Sequence, residues 1–256
     1  MEKLAKSPLV YVVAQVRIGA VLKMADYVPE IQERMRKAGY SLYRPSEVRE
    51  LEFGPGPGGT ETRVTRQWAF DRIDRRTGFL VQTGSVAFHT TAYDTHEAFF
   101  ADLQQGLEIV QDVAGIAASE RLGLRYVDAF QASADHTLAD YLKEGLRGVG
   151  LEHIGARRPR SFTNLIMETD VGGRLVVRIG LNPEGVLPPN LVPQDLVSAQ
   201  AFDANKPVGI LDYDHFVEKS EAFSIEGAMD RFNGLHGILS EAFRETVSDF
   251  ALEDWR

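Results

Sequence analysis

The chain has 256 residues, 44% of them hydrophobic and a quarter charged, enough to bury a sizeable core as one large domain or two closely packed halves. It contains no cysteine, which excludes disulfides, thiolate metal sites and cysteine nucleophiles, and no apolar run approaches the ~18 residues that a membrane span needs. The net charge of −9 falls on the second half: 16 basic and 16 acidic residues lie up to Arg125, against 12 and 21 beyond it, a balance that disfavours general attraction to a polyanion.

The first six residues lack the apolar region of a signal peptide, so the expected location is the cytoplasm. Residues 9–18 (LVYVVAQVRI) are rich in β-branched and aromatic side chains and predict a buried strand. Asp26 is the expected cap of a helix whose apolar side is Val28, Ile31 and Met35, with Gly39 as its stop. A short strand is expected over 48–53, and the Gly/Pro run 54–59 predicts a loop. Residues 63–73, 79–83 and 85–92 predict three strands, after which Thr95 caps a long helix reaching about residue 118.

The second half repeats this order. A shift of 114 carries Ala25-Asp26-Tyr27-Val28-Pro29-Glu30 onto Ala139-Asp140-Tyr141-Leu142-Lys143-Glu144, and Val12-Val13 onto Tyr126-Val127. A strand over 122–130, a helix from Thr137 or Asp140 to about Gly148, and a hairpin of 162–169 with 175–181 around Val171-Gly172-Gly173 follow. A strand over 209–216 and a last helix over 224–250 complete the unit. The expected fold is α+β: a tandem pseudo-repeat of β-α-β-β-β-α units, residues 1–120 and 121–256, with antiparallel sheets each packed on a long helix, or one continuous sheet with helices on one face.

Pro8–Val13, Leu122–Val127, Ile210–Asp214 and the run from Leu235-His236-Gly237 through Phe243, Thr246 and Trp255 together resemble a sporadically distributed prokaryotic family of about this length and uncharacterised function. The resemblance spans nearly the whole chain. It implies a two-half α+β protein and no particular reaction. Two residues after the Arg125-Tyr126 pair, such proteins often carry Asn, where this chain has Asp128.

Three groups of residues could carry function. Arg66, Trp68, Phe70 and Arg72 share one strand face, and interleaved aromatic and basic side chains form single-strand nucleic-acid platforms; Arg157, Arg158 and Arg160 would add a basic loop. Core packing of Trp68 and Phe70 is the competing expectation, because large aromatics are usually buried. Glu168, Asp170, Asp212 and Asp214 lie two apart on neighbouring strands and could hold a divalent cation or supply a general base; alternation on half-solvated strands gives the same pattern. Arg125 in an apolar strand must meet a carboxylate or a bound anion, and with Tyr126 it marks a ligand or partner site.

The Pro-rich stretch 182–208 has no counterpart in the first half. Its Leu187, Leu191 and Val192 point to a binding loop, or else to a cover over exposed sheet. No zinc spacing, nucleophile elbow or phosphate-cradling loop is present, so no cofactor is expected. The reading is a non-enzymatic binding or adaptor protein that takes a protein partner or small ligand between or beside its halves. A nucleic-acid module and a metal-dependent enzyme are the alternatives.

Overall fold

Alternate residues of Leu9–Ile18 (β1) that face the helices are Val12, Ala14, Val16 and Ile18, all buried, so this strand lies in the middle of the sheet. The computed structural model describes residues 4–53, 60–148, 160–183, 185–188, 191 and 196–256, with only the backbone at 48–53 and 60–63. The other strands are β2 (Leu42–Phe53), β3 (Thr60–Asp71), β4 (Thr77–Gln82), β5 (Ser85–Thr90), β6 (Ala118–Phe130), β7 (Ser161–Glu168), β8 (Arg174–Leu181) and β9 (Gly209–Ala222). They form one antiparallel sheet in the order β2-β3-β4-β5-β1-β6-β9-β8-β7.

The fold is therefore α+β with a single continuous sheet rather than a separate sheet for each half. The reason lies in β1 and β6. Both are apolar on the helix side, and they pair directly, with Val12 opposite Tyr126 and Val16 opposite Leu122. Neither can sit at an exposed edge without leaving that surface in water. Pro45, which has no N–H to give, lies on edge strand β2. The Gly/Pro run 54–59 lies outside the described residues.

Three helices cover one face: α1 (Met24–Lys37), α2 (His96–Ala114) and α3 (Ile225–Thr246), with a short α4 (Asp249–Asp254) after them. The Thr95 hydroxyl accepts from the Ala98 amide, as the sequence predicts, and Gly115 ends α2 in the left-handed conformation. Gly106 of α2 lies against the Phe79 ring, where a side chain would collide. That approach lets Phe79, Phe88, Phe99 and Tyr40 pack as one aromatic cluster.

The repeated motif takes different forms in its two copies. Residues 24–37 make an α-helix, whereas 138–146 make two 3-10 turns, Leu138–Tyr141 and Glu144–Leu146. Tertiary pairing overrides the helical spacing: Leu142 bridges to Val247, and the Lys143 amide donates to the Thr246 carbonyl. The two tyrosines differ accordingly. Tyr27 is half-buried, but Tyr141 is fully buried and donates to Asp254 at 2.6 Å. The same pairing breaks the expected long last helix into α3 and α4 at Val247, which is extended.

The opposite face of the sheet carries a second apolar cluster, Val10, Tyr11, Val127, Ala129 and Ile210. Val186, Leu187, Leu191 and Leu196 of the Pro-rich stretch pack on it. Gln200 donates to the carbonyls of Ser7 and Leu9, and Thr91 to the Val197 carbonyl at 2.6 Å. Leu187 and Leu191 thus pack, partly buried, over the middle of the sheet rather than over an edge. Val192 lies outside the described residues. Leu196 is 7% exposed, so Leu196→Ala is expected to cost about 2–3 kcal/mol in a urea melt.

Candidate functional site

Tyr126 and Asp128 project from β6 towards the helices, and between strand and helices lies a cavity of about 420 Å³. Tyr213 of β9 continues the floor. The roof is one stripe of α3, in which His236, Leu239, Ser240 and Phe243 recur at helical spacing. One wall is the approach to α2, residues 93–97, and the other is the segment leading into β1. The cavity thus lies between strands β6 and β9 and helix α3, beside the start of α2.

A polar chain crosses it. The Tyr93 and Tyr126 hydroxyls are 3.4 Å apart, Tyr126 lies 3.1 Å from His236 Nδ1, and His236 Nε2 lies 3.5 Å from the Ser240 hydroxyl. Burial first, and then the neighbouring His96 ring, push His236 down to about 4, so it is neutral at physiological pH and bridges Tyr126 and Ser240. His96 stacks on it at 4.4 Å. Burial raises both Tyr126 and Tyr213 well above the ordinary tyrosine value, with the Asp128 charge adding to each. The Tyr213 hydroxyl is buried without a hydrogen bond; the nearby Thr246 hydroxyl donates to the Ala242 carbonyl instead.

Asp128 is the exceptional group. It is 4% exposed, lines the cavity, and has no hydrogen bond or ion pair with any described residue. Burial alone pushes its carboxyl up to about 8. Its strand neighbours are Leu9 and Leu211, which offer no side-chain donor. A buried carboxyl left in that state costs stability unless something else meets it.

Among the described residues, the candidate site residues named from the sequence lie elsewhere, except Tyr126. Arg125 points to the opposite face, where its guanidinium grips Asp212 through two 2.6 Å bonds. Arg178 adds a third at 3.0 Å, while Arg121 lies 3.6 Å from Asp214 and over the Phe216 ring. Asp212 and Asp214 do share a face, but as arginine partners. Glu168 and Asp170 are exposed at the far end of β7, and no group of three or more potential metal ligands occurs among the described residues. Asp212 and Asp214 are thus engaged by arginines, with Arg178 against both, and Glu168 and Asp170 do not join them in a group.

The nucleic-acid face is likewise dispersed. Trp68 and Phe70 belong to the main core, Arg72 is held by Asp102 at 2.7 Å beside Tyr40, and Arg66 is exposed. Phe70 is packed beneath the helices, so no base can stack on it. Arg160 is exposed, and Arg157 and Arg158 lie outside the described residues. Trp68 fluorescence is expected to stay unchanged on addition of single-stranded oligonucleotide at moderate salt.

Sequence reasoning missed His236, Ser240, Tyr93 and the pocket role of Asp128. The available signal was Asp128 itself, a charge on the helix-facing side of a strand whose neighbours on that face, Leu122, Leu124 and Tyr126, are core residues. No helix of the described residues is long and apolar enough to cross a membrane. No protein-family model and no curated protein matches the chain.

Proposed function

We propose that the protein is a non-enzymatic cytoplasmic binding protein, built of two similar halves, that holds a small ligand in the cavity between them. The observation that carries this reading is Asp128: a buried carboxyl with no partner among the described residues, facing about 420 Å³ of aromatic-walled space. Strand order supports the two-half element of the reading. Outward from the β1–β6 pair, β5-β4-β3 on one side answers β9-β8-β7 on the other, and α2 follows β5 as α3 follows β9. The segments that resemble the uncharacterised family belong to the same proposal, since Tyr126 and the 236–243 stripe supply the pocket walls.

Ligand-observed NMR with a fragment library tests this against Ser240→Trp, which fills the cavity from its roof. Fragments are expected to bind the wild-type chain and to lose contact with the variant, whose far-UV spectrum and melt remain native-like. Equal binding to both, or no fragment bound by the wild type, contradicts the reading.

A further inference from the structure

We propose that the cavity takes a small organic ammonium ion, whose charge is paired by the Asp128 carboxylate. This rests on the reading of the cavity as a ligand site and names the chemistry of its occupant. Asp128 is the most buried charged group in it and has no cationic partner among the described residues. A ligand's positive charge supplies what the protein leaves out. Above about pH 8, where Asp128 is ionised, an anion there would face the carboxylate in a desolvated space, where like charges repel strongly.

The walls agree with a cation. Ring surfaces of Tyr93, Tyr126 and Phe243 line the space, and aromatic faces attract ammonium groups, most strongly when water is excluded. Tyr93 and Tyr126 meet edge to face at 5.6 Å, giving two walls in different planes. Among the described residues, the other charged groups lining the cavity are Asp94 before α2, Glu97 in its first turn beside His96 at 3.3 Å, and Arg244 on α3, all three exposed. With Asp128 ionised, the described lining carries three carboxylates, one arginine and the His96 ring. The histidine facing Asp128 from the roof is neutral at physiological pH, and the Tyr126 and Tyr213 hydroxyls on the floor keep their protons. The segment leading into β1 contributes Leu4, Ser7, Pro8 and Leu9, none of them charged.

Binding is then linked to a proton. The empty site holds Asp128 protonated at pH 7, because its carboxyl titrates at about 8. A cation that enters must displace that proton, so its affinity rises with pH up to about 8 and levels off above. A permanently charged ligand has no titration of its own and isolates this effect.

Calorimetry with choline, n-butylammonium, neutral 3,3-dimethylbutan-1-ol and anionic 3,3-dimethylbutanoate is the test, run on the wild type and Asp128→Asn. At least one ammonium probe is expected to bind the wild type tenfold or more tighter than the alcohol. In buffers of different ionisation enthalpy, binding should release about one proton at pH 7 and almost none at pH 9. Asp128→Asn should bring the ammonium probes down to the level of the alcohol and abolish the proton release. If the alcohol or the carboxylate binds as well as the ammonium probes, the cation assignment is overturned while the pocket remains a ligand site. If neither ammonium probe binds at millimolar concentration, the assignment is overturned as well, and the fragment experiment with Ser240→Trp separately decides whether the pocket binds anything.

Discussion

Asp128→Asn is expected to make the protein more stable at pH 7, by about 2–4 kcal/mol in a urea melt. The carboxyl rises from 3.8 in the unfolded chain to about 8 in the folded one, by burial. Below about pH 4 it is protonated in both states and contributes no linkage. Between about 4 and 8 the unfolded chain releases the proton while the folded chain keeps it, so stability falls as pH rises. Above about 8 the loss is complete. The isosteric amide never ionises, so the variant should match the wild type near pH 4 and pull ahead steadily towards pH 8. The lower end of the range allows for a buried Asn whose own polar atoms lack partners. A residue that costs the fold this much is the mark of a site, because natural sequences accept such costs where function needs them.

Arg125→Met acts in the opposite sense and is expected to cost about 3–5 kcal/mol. Asp212 is 1% exposed, and it would lose both of the 2.6 Å bonds that Arg125 makes with it. Arg178 would remain at 3.0 Å, but its side chain is 37% exposed and offers a single bond. The double variant Arg125→Met/Asp212→Leu should recover most of the loss, since removing both charges leaves nothing buried and unpaired. A loss below ~1 kcal/mol for the single variant would mean that water or movement of Arg178 satisfies Asp212. These two aspartates thus call for opposite outcomes. Asp212 is met by the protein's own arginines, and Asp128 by no cation among the described residues.

Much of this architecture is legible from spacing alone. The Thr95 cap, the hairpin at Val171-Gly172-Gly173 and the apolar stripe of α3 depend on neighbours in sequence, and local chemistry decides them. The 3-10 turns at 138–146 were not legible, because the pairing of Leu142 with Val247 joins segments about 100 residues apart. Spacing left one sheet or two open, because the choice depends on β1 finding β6 as a partner. Arg125 was readable as a buried ion pair from its apolar strand, yet its partner needed the β6–β9 register, which puts Asp214 opposite it and Asp212 two residues along on the same face. The pocket was the least legible. Tyr93, Tyr126, His236 and Ser240 come from three segments, and none carries a motif.

The central claim is that Asp128 is a buried carboxyl left for a ligand to meet, and carbon-13 NMR of its carboxyl group tests this most directly. The resonance, assigned by its loss in Asp128→Asn, should be followed from pH 4 to pH 10 in the ligand-free protein. The expected midpoint lies near 8, where burial pushes this group, and it should fall on saturation with an ammonium ligand as the carboxylate gains its partner. A midpoint near the ordinary 3.9 would mean that the carboxyl is already solvated or paired, and would contradict the account.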